Sequence, residues 1–234
     1  MKIYGKNVFN ELKNNKEKIK KVYISEIFKD KDIMNFIKEN KIPYVSMDKR
    51  KFSQIYKENT QGIVIDVSEY EYKHLNDIDT SAKKIVILDH LEDPHNFGAI
   101  IRTCEANGIK NIIIPKDRSV KINATVIKTS SGAIEYVDIV EATNLKQAID
   151  YLKKQGYFIY GAEADGINYD EVNYANKVVL VIGSEGNGLT KIVRDNCDEI
   201  ISIPMNGKVN SLNASVSAGV LIYGIKNWIW TKRL

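Results

Sequence analysis

The sequence predicts an α/β protein in which a mainly parallel sheet domain follows a smaller α/β domain. Two observations carry this prediction. Short runs that are apolar throughout, such as Ile85-Val86-Ile87-Leu88 and Val178-Val179-Leu180-Val181-Ile182, alternate with segments of helical spacing. Strands apolar on both faces belong to parallel sheets covered by helices on either side. A chain of 234 residues with 44% hydrophobic content is large enough to bury such a core and long enough for two domains.

From the N-terminus, Ile3 to Leu12 places Val8, Phe9 and Leu12 at helical spacing, and Lys13 to Lys21 reads as a Lys-rich turn. Val22-Tyr23-Ile24, Tyr44-Val45 after Pro43, and Gly62 to Val67 read as strands, with Ile33, Phe36 and Ile37 forming a helical face between the first two. A first domain is therefore expected over residues 1–68. The stretch that follows is polar and aperiodic, with Asp77, Asp79, Thr80 and Ser81, and places a linker at 69–82. The second domain, 83–234, has strand patterns at 85–88, 111–114, 157–160, 178–182 and 200–203, and helical patterns at 99–107, 124–130, 145–155 and 211–228.

Charge is unevenly placed. Residues 1–75 hold 16 Lys and Arg against 11 Asp and Glu, while the rest of the chain holds 18 against 19, so the basic surplus lies in the first third. Such a surplus suits a polyanionic partner, although a solvated Lys-rich surface produces it as well. Cys104 and Cys197 have no CxxC spacing and read as reduced thiols of an intracellular protein. His74, His90 and His95 lack metal-ligand spacing, so no metal is expected. Without a signal-peptide pattern or an apolar run of roughly 20 residues, the chain is expected to be soluble and cytoplasmic, with no membrane association.

Three stretches concentrate polar and glycine residues at predicted strand ends, where open parallel sheets bind ligands. The first runs from Leu88 through Asp93-Pro94-His95-Asn96-Phe97-Gly98 to Arg102, with a helix expected from near Phe97. On this stretch alone, Asn96 also reads as a helix cap and Arg102 as an ion-pair partner. The second, Ile182-Gly183-Ser184-Glu185-Gly186-Asn187-Gly188-Leu189, has neither the G-x-G-x-x-G order of a dinucleotide turn nor the G-K-[ST] of a phosphate loop. Its glycines let backbone approach a ligand closely, and Glu185 offers a carboxylate to that ligand, to Arg102 or to a helix N-terminus. The third, Ile203 to Gly219, combines a strand end, an Asn/Gly loop and a small-residue helix start at Ser211-Leu212-Asn213. Capping explains Ser211 equally well.

Taken in order, the three stretches resemble the motifs of the SpoU/TrmH family of RNA ribose 2'-O-methyltransferases over about residues 83–230. The resemblance implies a SPOUT fold with a deep trefoil knot, S-adenosylmethionine as cofactor, a homodimer and RNA as partner. It also implies a catalytic set of Asn96, Arg102, Glu185, Ser211 and Asn213, with Ala162, Gly183, Ile203, Met205 and Leu212 lining the cofactor site. The first domain is similar to the ribosomal-protein L30e-like substrate-binding domain of the RlmB group, with Ile3-Tyr4-Gly5 and Gln61-Gly62-Ile63 in the corresponding places. That group commonly carries His before the Gln-Gly pair, where this chain has Thr60. The implied substrate is a guanosine of 23S rRNA. The alternatives are tRNA, a resistance-linked rRNA site, or an RNA-binding protein without catalysis. Trp228 and Trp230, in the apolar C-terminal helix, fit a dimer interface or packing within the chain.

Overall fold

The computed structural model describes residues 1–57, 59–209 and 211–225. Trp228 and Trp230, and Asn210 of the third stretch, lie outside the described residues.

The chain forms two sheets. The first orders its strands β1-β4-β2-β3, where β1 is Lys2–Tyr4, β2 Ile19–Ser25, β3 Tyr44–Met47 and β4 Ile63–Val67. β2 and β3 run parallel, and β4 runs antiparallel between β1 and β2. Helices α1 (Lys6–Leu12), α2 (Lys31–Glu39) and α3 (Lys49–Ile55) connect them. Ile3 was expected at the start of a helix but sits in β1 opposite Ile65, because that pairing buries it fully and Gly5, at φ 110°, separates strand from helix. The Lys-rich turn is shorter than expected, since Ile19 already pairs with Val67.

The second sheet has the order β10-β8-β9-β5-β6-β7, and all of its strand pairs are parallel. Its strands are β5 (Lys84–Leu88), β6 (Asn111–Pro115), β7 (Asp138–Ala142), β8 (Phe158–Asn168), β9 (Val178–Ile182) and β10 (Glu199–Ser202). The helices are α4 (Pro94–Ala106), α5 (Ala124–Ser130), α6 (Leu145–Lys154), α7 (Lys191–Asp195) and α8 (Ala214–Gly224). Alternate residues of each strand enter different cores, as a sheet covered on both sides requires. Val86, Leu88, Ile112, Leu180 and Ile182 join α4, α5 and α8 in one cluster. Ile85, Ile87, Ile113, Val179 and Val181 join α6 and α7 in the other. Each such side chain stabilises the fold by about 1.5–3 kcal/mol through burial. β7 was not anticipated from the sequence, because Asp138 and Glu141 interrupt its apolar run at the sheet edge.

Helix boundaries also differ from expectation. α4 begins at Pro94, capped by Asp93, whose Oδ1 accepts the Asn96 amide proton at 2.7 Å. Asn96 is therefore inside the helix, and its side chain is not the cap. α8 begins at Ala214 with Asn213 as its cap, so Ser211 lies in the preceding loop.

The expected linker is pinned to the second sheet. Lys73 bridges β7 through hydrogen bonds with Ile139 and Glu141, the Tyr70 hydroxyl accepts from Ile139 N, and the Tyr72 hydroxyl accepts from Ile122 N. Single tyrosine anchors leave no periodic signal in the sequence. Across the two sheets, Glu135 Oε2 receives Lys18 Nζ at 2.5 Å and Asn15 Nδ2 at 2.7 Å. Among the described residues no helix is long and apolar enough to cross a membrane.

The junction of α4 with α5 depends on Gly98. A Cβ at that position would lie 2.6 Å from Thr129 Cβ and 2.9 Å from the Val126 carbonyl oxygen. Backbone and a β-carbon cannot swing away, so Gly98→Ala is expected to cost about 1–3 kcal/mol by overpacking. This outweighs the roughly 1 kcal/mol gained in helix propensity. Denaturant unfolding checks it, and a midpoint at or above that of the wild type contradicts it.

Candidate functional site at the strand ends

The second sheet reverses its direction of growth at β5, with β6 and β7 on one side and β9 and β8 on the other. On one side of that point the carboxyl ends of β9, β8 and β10 open into a cavity of about 690 Å³. Such a position and size suit a small organic ligand.

The floor is the turn after β9. Ser184 N donates to the Gly188 carbonyl at 3.0 Å and Gly188 N to the Ser184 carbonyl at 3.1 Å, folding residues 184–188 into a small closed loop. A Cβ on Gly183 would lie 2.2 Å from the Gly188 carbonyl carbon, so only glycine lets the two backbone passes touch. Gly186 at φ 122° and Gly188 at φ 63° turn the chain between them.

Two carboxylates hold this loop from outside it. Asp89, fully buried just past β5, accepts from Thr190 N at 2.6 Å and from Thr190 Oγ1 at 2.9 Å. Its other oxygen lies 2.5 Å from His90 Nδ1. Glu163, half-buried past the part of β8 that pairs with β9, accepts from Leu189 N at 2.6 Å. It reaches the loop because β10 skips five residues of β8. Ile200 pairs with Gly161 and Ile201 with Ile167, and residues 162–166 bulge over the cavity.

The predicted residues divide clearly. Ala162, Gly183, Ile203, Met205 and Leu212 all line the cavity, together with Glu185, Ser211 and Asn213. Asn96 reaches the same place indirectly, its Nδ2 donating to Glu185 Oε1 at 2.5 Å. Asn213 Oδ1 is committed to the cap of α8, accepting from Ser215 N, Ser215 Oγ and Val216 N. Arg102 does not line the cavity. It is exposed on α4, with Nη1 3.5 Å from Ser131 Oγ, so the recorded partner of Glu185 is Asn96 and not Arg102. Six residues separate Asn96 from Arg102, and at 3.6 residues per turn that spacing sends them to different faces of α4.

Sequence reasoning missed Asp89, Thr190 and Glu163. A charged residue directly after a buried apolar strand was a usable signal for Asp89, since a buried carboxylate requires donors. Glu163 had none, because only the bulge aims it. Neither cysteine offers a nucleophile: full burial pushes the Cys104 thiol far up, and burial raises Cys197 to about 12.

Comparison with known proteins agrees with this layout. The SpoU rRNA Methylase family signature matches residues 83–223, and an RNA 2'-O ribose methyltransferase substrate-binding signature matches residues 2–73. A Staphylococcus haemolyticus protein assigned to the TrmH family of tRNA/rRNA methyltransferases is 40% identical over 95% of this chain and 94% of its own length. A Staphylococcus aureus protein of the same assignment is 41% identical over 89% of this chain and 85% of its own. Among solved structures, the SpoU methyltransferase AviRb from Streptomyces viridochromogenes, in complex with the cofactor AdoMet, superposes with a TM-score of 0.83 at 20% identity. The match covers 96% of this chain and 88% of that one. An AdoMet-bound rRNA methyltransferase from Sinorhizobium meliloti gives 0.81 at 23% identity, over 97% and 87% of the two chains. At these identities the two structures establish the SPOUT-type α/β fold.

Removing the Asp89 carboxylate would leave the Thr190 amide and hydroxyl without their buried acceptor. Asp89→Ala is expected to lose about 3 kcal/mol, from two charge-assisted hydrogen bonds and the unpaired donors they leave. Amide hydrogen exchange should show lost protection concentrated at residues 183–190, and unchanged protection there contradicts the clamp.

Proposed function

The chain belongs to the SpoU rRNA methylase family, and on that premise we propose that it transfers a methyl group from S-adenosylmethionine to a ribose 2'-hydroxyl of structured RNA. The observation that carries this reading is the single cavity in which residues of the second and third motifs meet, with Asn96 of the first joined to them through Glu185.

The cavity's chemistry fits the cofactor. Ile203, Met205, Leu212 and Leu221 supply apolar surface for an adenine ring, while the bare backbone at Gly183 and Gly188 admits close contact. When bound, S-adenosylmethionine supplies a methyl group activated by its sulfonium. The protein's own residues then have positioning as their main task, and orientation of reacting groups is worth roughly 7–11 kcal/mol. Ser211 and Asn213 would face the ribose. With Oδ1 of Asn213 engaged at the helix cap, its amide nitrogen is the group left to offer. Glu185, held by Asn96, would orient the same ribose or the loop beside it.

Arg102 does not line the cavity of its own chain, and we assign it to the site of a second copy in a homodimer. A guanidinium stays protonated, so its role there is to hold the hydroxyl and a neighbouring phosphate rather than to remove a proton. The dimer is supported by an exposed apolar stripe on and before α8, where Leu212 is 37%, Val216 50% and Tyr223 58% exposed. The trefoil knot belongs to the same proposal. Its support is that β9 enters between β8 and β5, and that α8 returns to pack on α4.

RNA capture is assigned to residues 1–68 and catalysis to 83–234, joined by the segment 69–82. On the first sheet, Lys2 Nζ lies 5.3 Å from the Tyr23 ring and 5.4 Å from the Tyr56 ring, and Lys21 Nζ lies 5.5 Å from Tyr23. Such a mixture of cations and aromatic rings suits phosphates and unpaired bases. Resemblance to the RlmB group favours a guanosine of 23S rRNA as the target, and the relatives' assignment to tRNA/rRNA methylation is compatible with it.

Arg102→Ala should lower methyl transfer by about 10²–10³-fold, as expected for loss of one transition-state contact, while S-adenosylmethionine affinity stays within about twofold. Undiminished turnover on in vitro transcribed rRNA would remove Arg102 from the mechanism. If Arg102 acts across the dimer, mixing Arg102→Ala with Asn213→Ala restores one intact site per mixed dimer and with it part of the activity. Mixtures as inactive as either variant alone place Arg102 in its own chain's site.

A further inference from the structure

We infer that Glu163 binds the ribose hydroxyls of the cofactor and so makes the site selective for an intact nucleoside. This rests on the cofactor reading above and names a residue that the motifs do not contain.

Position is the first argument. Glu163 lies just past the segment of β8 that pairs with β9, and the glycine turn follows β9 itself. In nucleotide-binding parallel sheets, a carboxylate that takes the ribose hydroxyls follows a strand beyond the one that leads into the glycine turn. The glycine order here differs from the dinucleotide turn, yet the spatial relation of a glycine loop to an acidic residue at an adjacent strand end is the same. Geometry is the second argument. The five-residue bulge at 162–166 directs Glu163 into the cavity wall, and a Cβ on Gly188 would lie 2.6 Å from Oε1 and 2.9 Å from Oε2. The carboxylate thus lies flat against the floor of the site, in space that any side chain at 188 would occupy.

Satisfaction of the two oxygens is the third argument. Oε1 accepts from Leu189 N at 2.6 Å, which locks the side chain in place. A carboxylate has about four acceptor positions, and this one amide leaves others open on a residue that lines the cavity. A half-buried anion gains most from donors that a bound ligand brings, and the vicinal diol of a ribose presents two of them at a fixed separation.

The test is a binding cycle by calorimetry with S-adenosylhomocysteine, its 2'-deoxy and 3'-deoxy forms, and 5'-methylthioadenosine. Glu163→Gln can keep an oxygen on Leu189 N while leaving an NH2 group, which donates and cannot accept, in place of the second oxygen. Wild-type protein should lose about tenfold or more in affinity on removal of a ribose hydroxyl. E163Q should bind the parent ligand and 5'-methylthioadenosine about tenfold more weakly, yet lose less than about twofold when the same hydroxyl is removed. Equal losses in wild type and E163Q overturn the assignment. So does wild-type protein that binds the deoxy ligands as tightly as the parent, a result that needs no variant to fold. E163Q weakening S-adenosylhomocysteine but not 5'-methylthioadenosine would move Glu163 to the amino-acid end of the cofactor and also overturn it. Failure of wild-type protein to bind any of the four ligands would instead refute the cofactor reading on which the inference rests.

Discussion

The buried carboxylate of Asp89 is the constraint on which the site's geometry depends. It sits past the end of β5, takes both donors of Thr190, and its own amide donates to the Ile182 carbonyl at 2.8 Å. One residue therefore ties the end of β5 to both ends of the loop that follows β9. Burying an anion is costly unless donors surround it, so the loop cannot drift from β5 without exposing an uncompensated charge. The approach of Gly183 to Gly188 and the contact of Glu163 with Leu189 follow from this anchoring, because each requires the loop to lie against the strand ends.

Above that anchor, the fold divides its work between rigid and adaptable parts. The two-sided core holds the strand ends in register, so residues from β8, β9 and β10 face one cavity although they are far apart in sequence. The polar groups that face the cavity come from turns, the bulge and a helix cap, where backbone geometry rather than strand alternation aims side chains. The first sheet is attached through the Glu135 contacts and the tyrosine-pinned segment, which places its Lys and Tyr surface on the same molecule as the catalytic fold. The two family signatures divide along the same line, the substrate-binding one over residues 2–73 and the methylase one over residues 83–223.

Parts of this were legible in the sequence because they depend on local composition. The β5 and β9 runs announce a sheet covered on both faces, and the second and third motifs mark strand ends by their glycine and asparagine content. β7 was illegible because its edge position tolerates Asp138 and Glu141. The segment at 69–82 reads as a linker, and its attachment left no signal because isolated tyrosine hydroxyls, rather than a periodic face, tie it down. The cap of α4 fell on Asp93 and not on Asn96, a shift of three residues that sequence patterning does not resolve.

The sequence by itself determined the α/β class and the order of the three motifs, and nine of the ten residues that the family resemblance implies for the site stand at or beside one cavity. The class and the motif order follow from residue type and spacing, which act over a few residues, whereas the site set is what the resemblance implies. Tertiary structure alone decided that Asn96 meets Glu185, that Arg102 lies beside Ser131 and does not line its own cavity, and that Asp89 and Glu163 clamp the floor. Those outcomes depend on the rotation of a helix, the skipping of five residues between two strands and the burial of a charge. Each is fixed by packing between segments distant in the chain, where no local pattern records it.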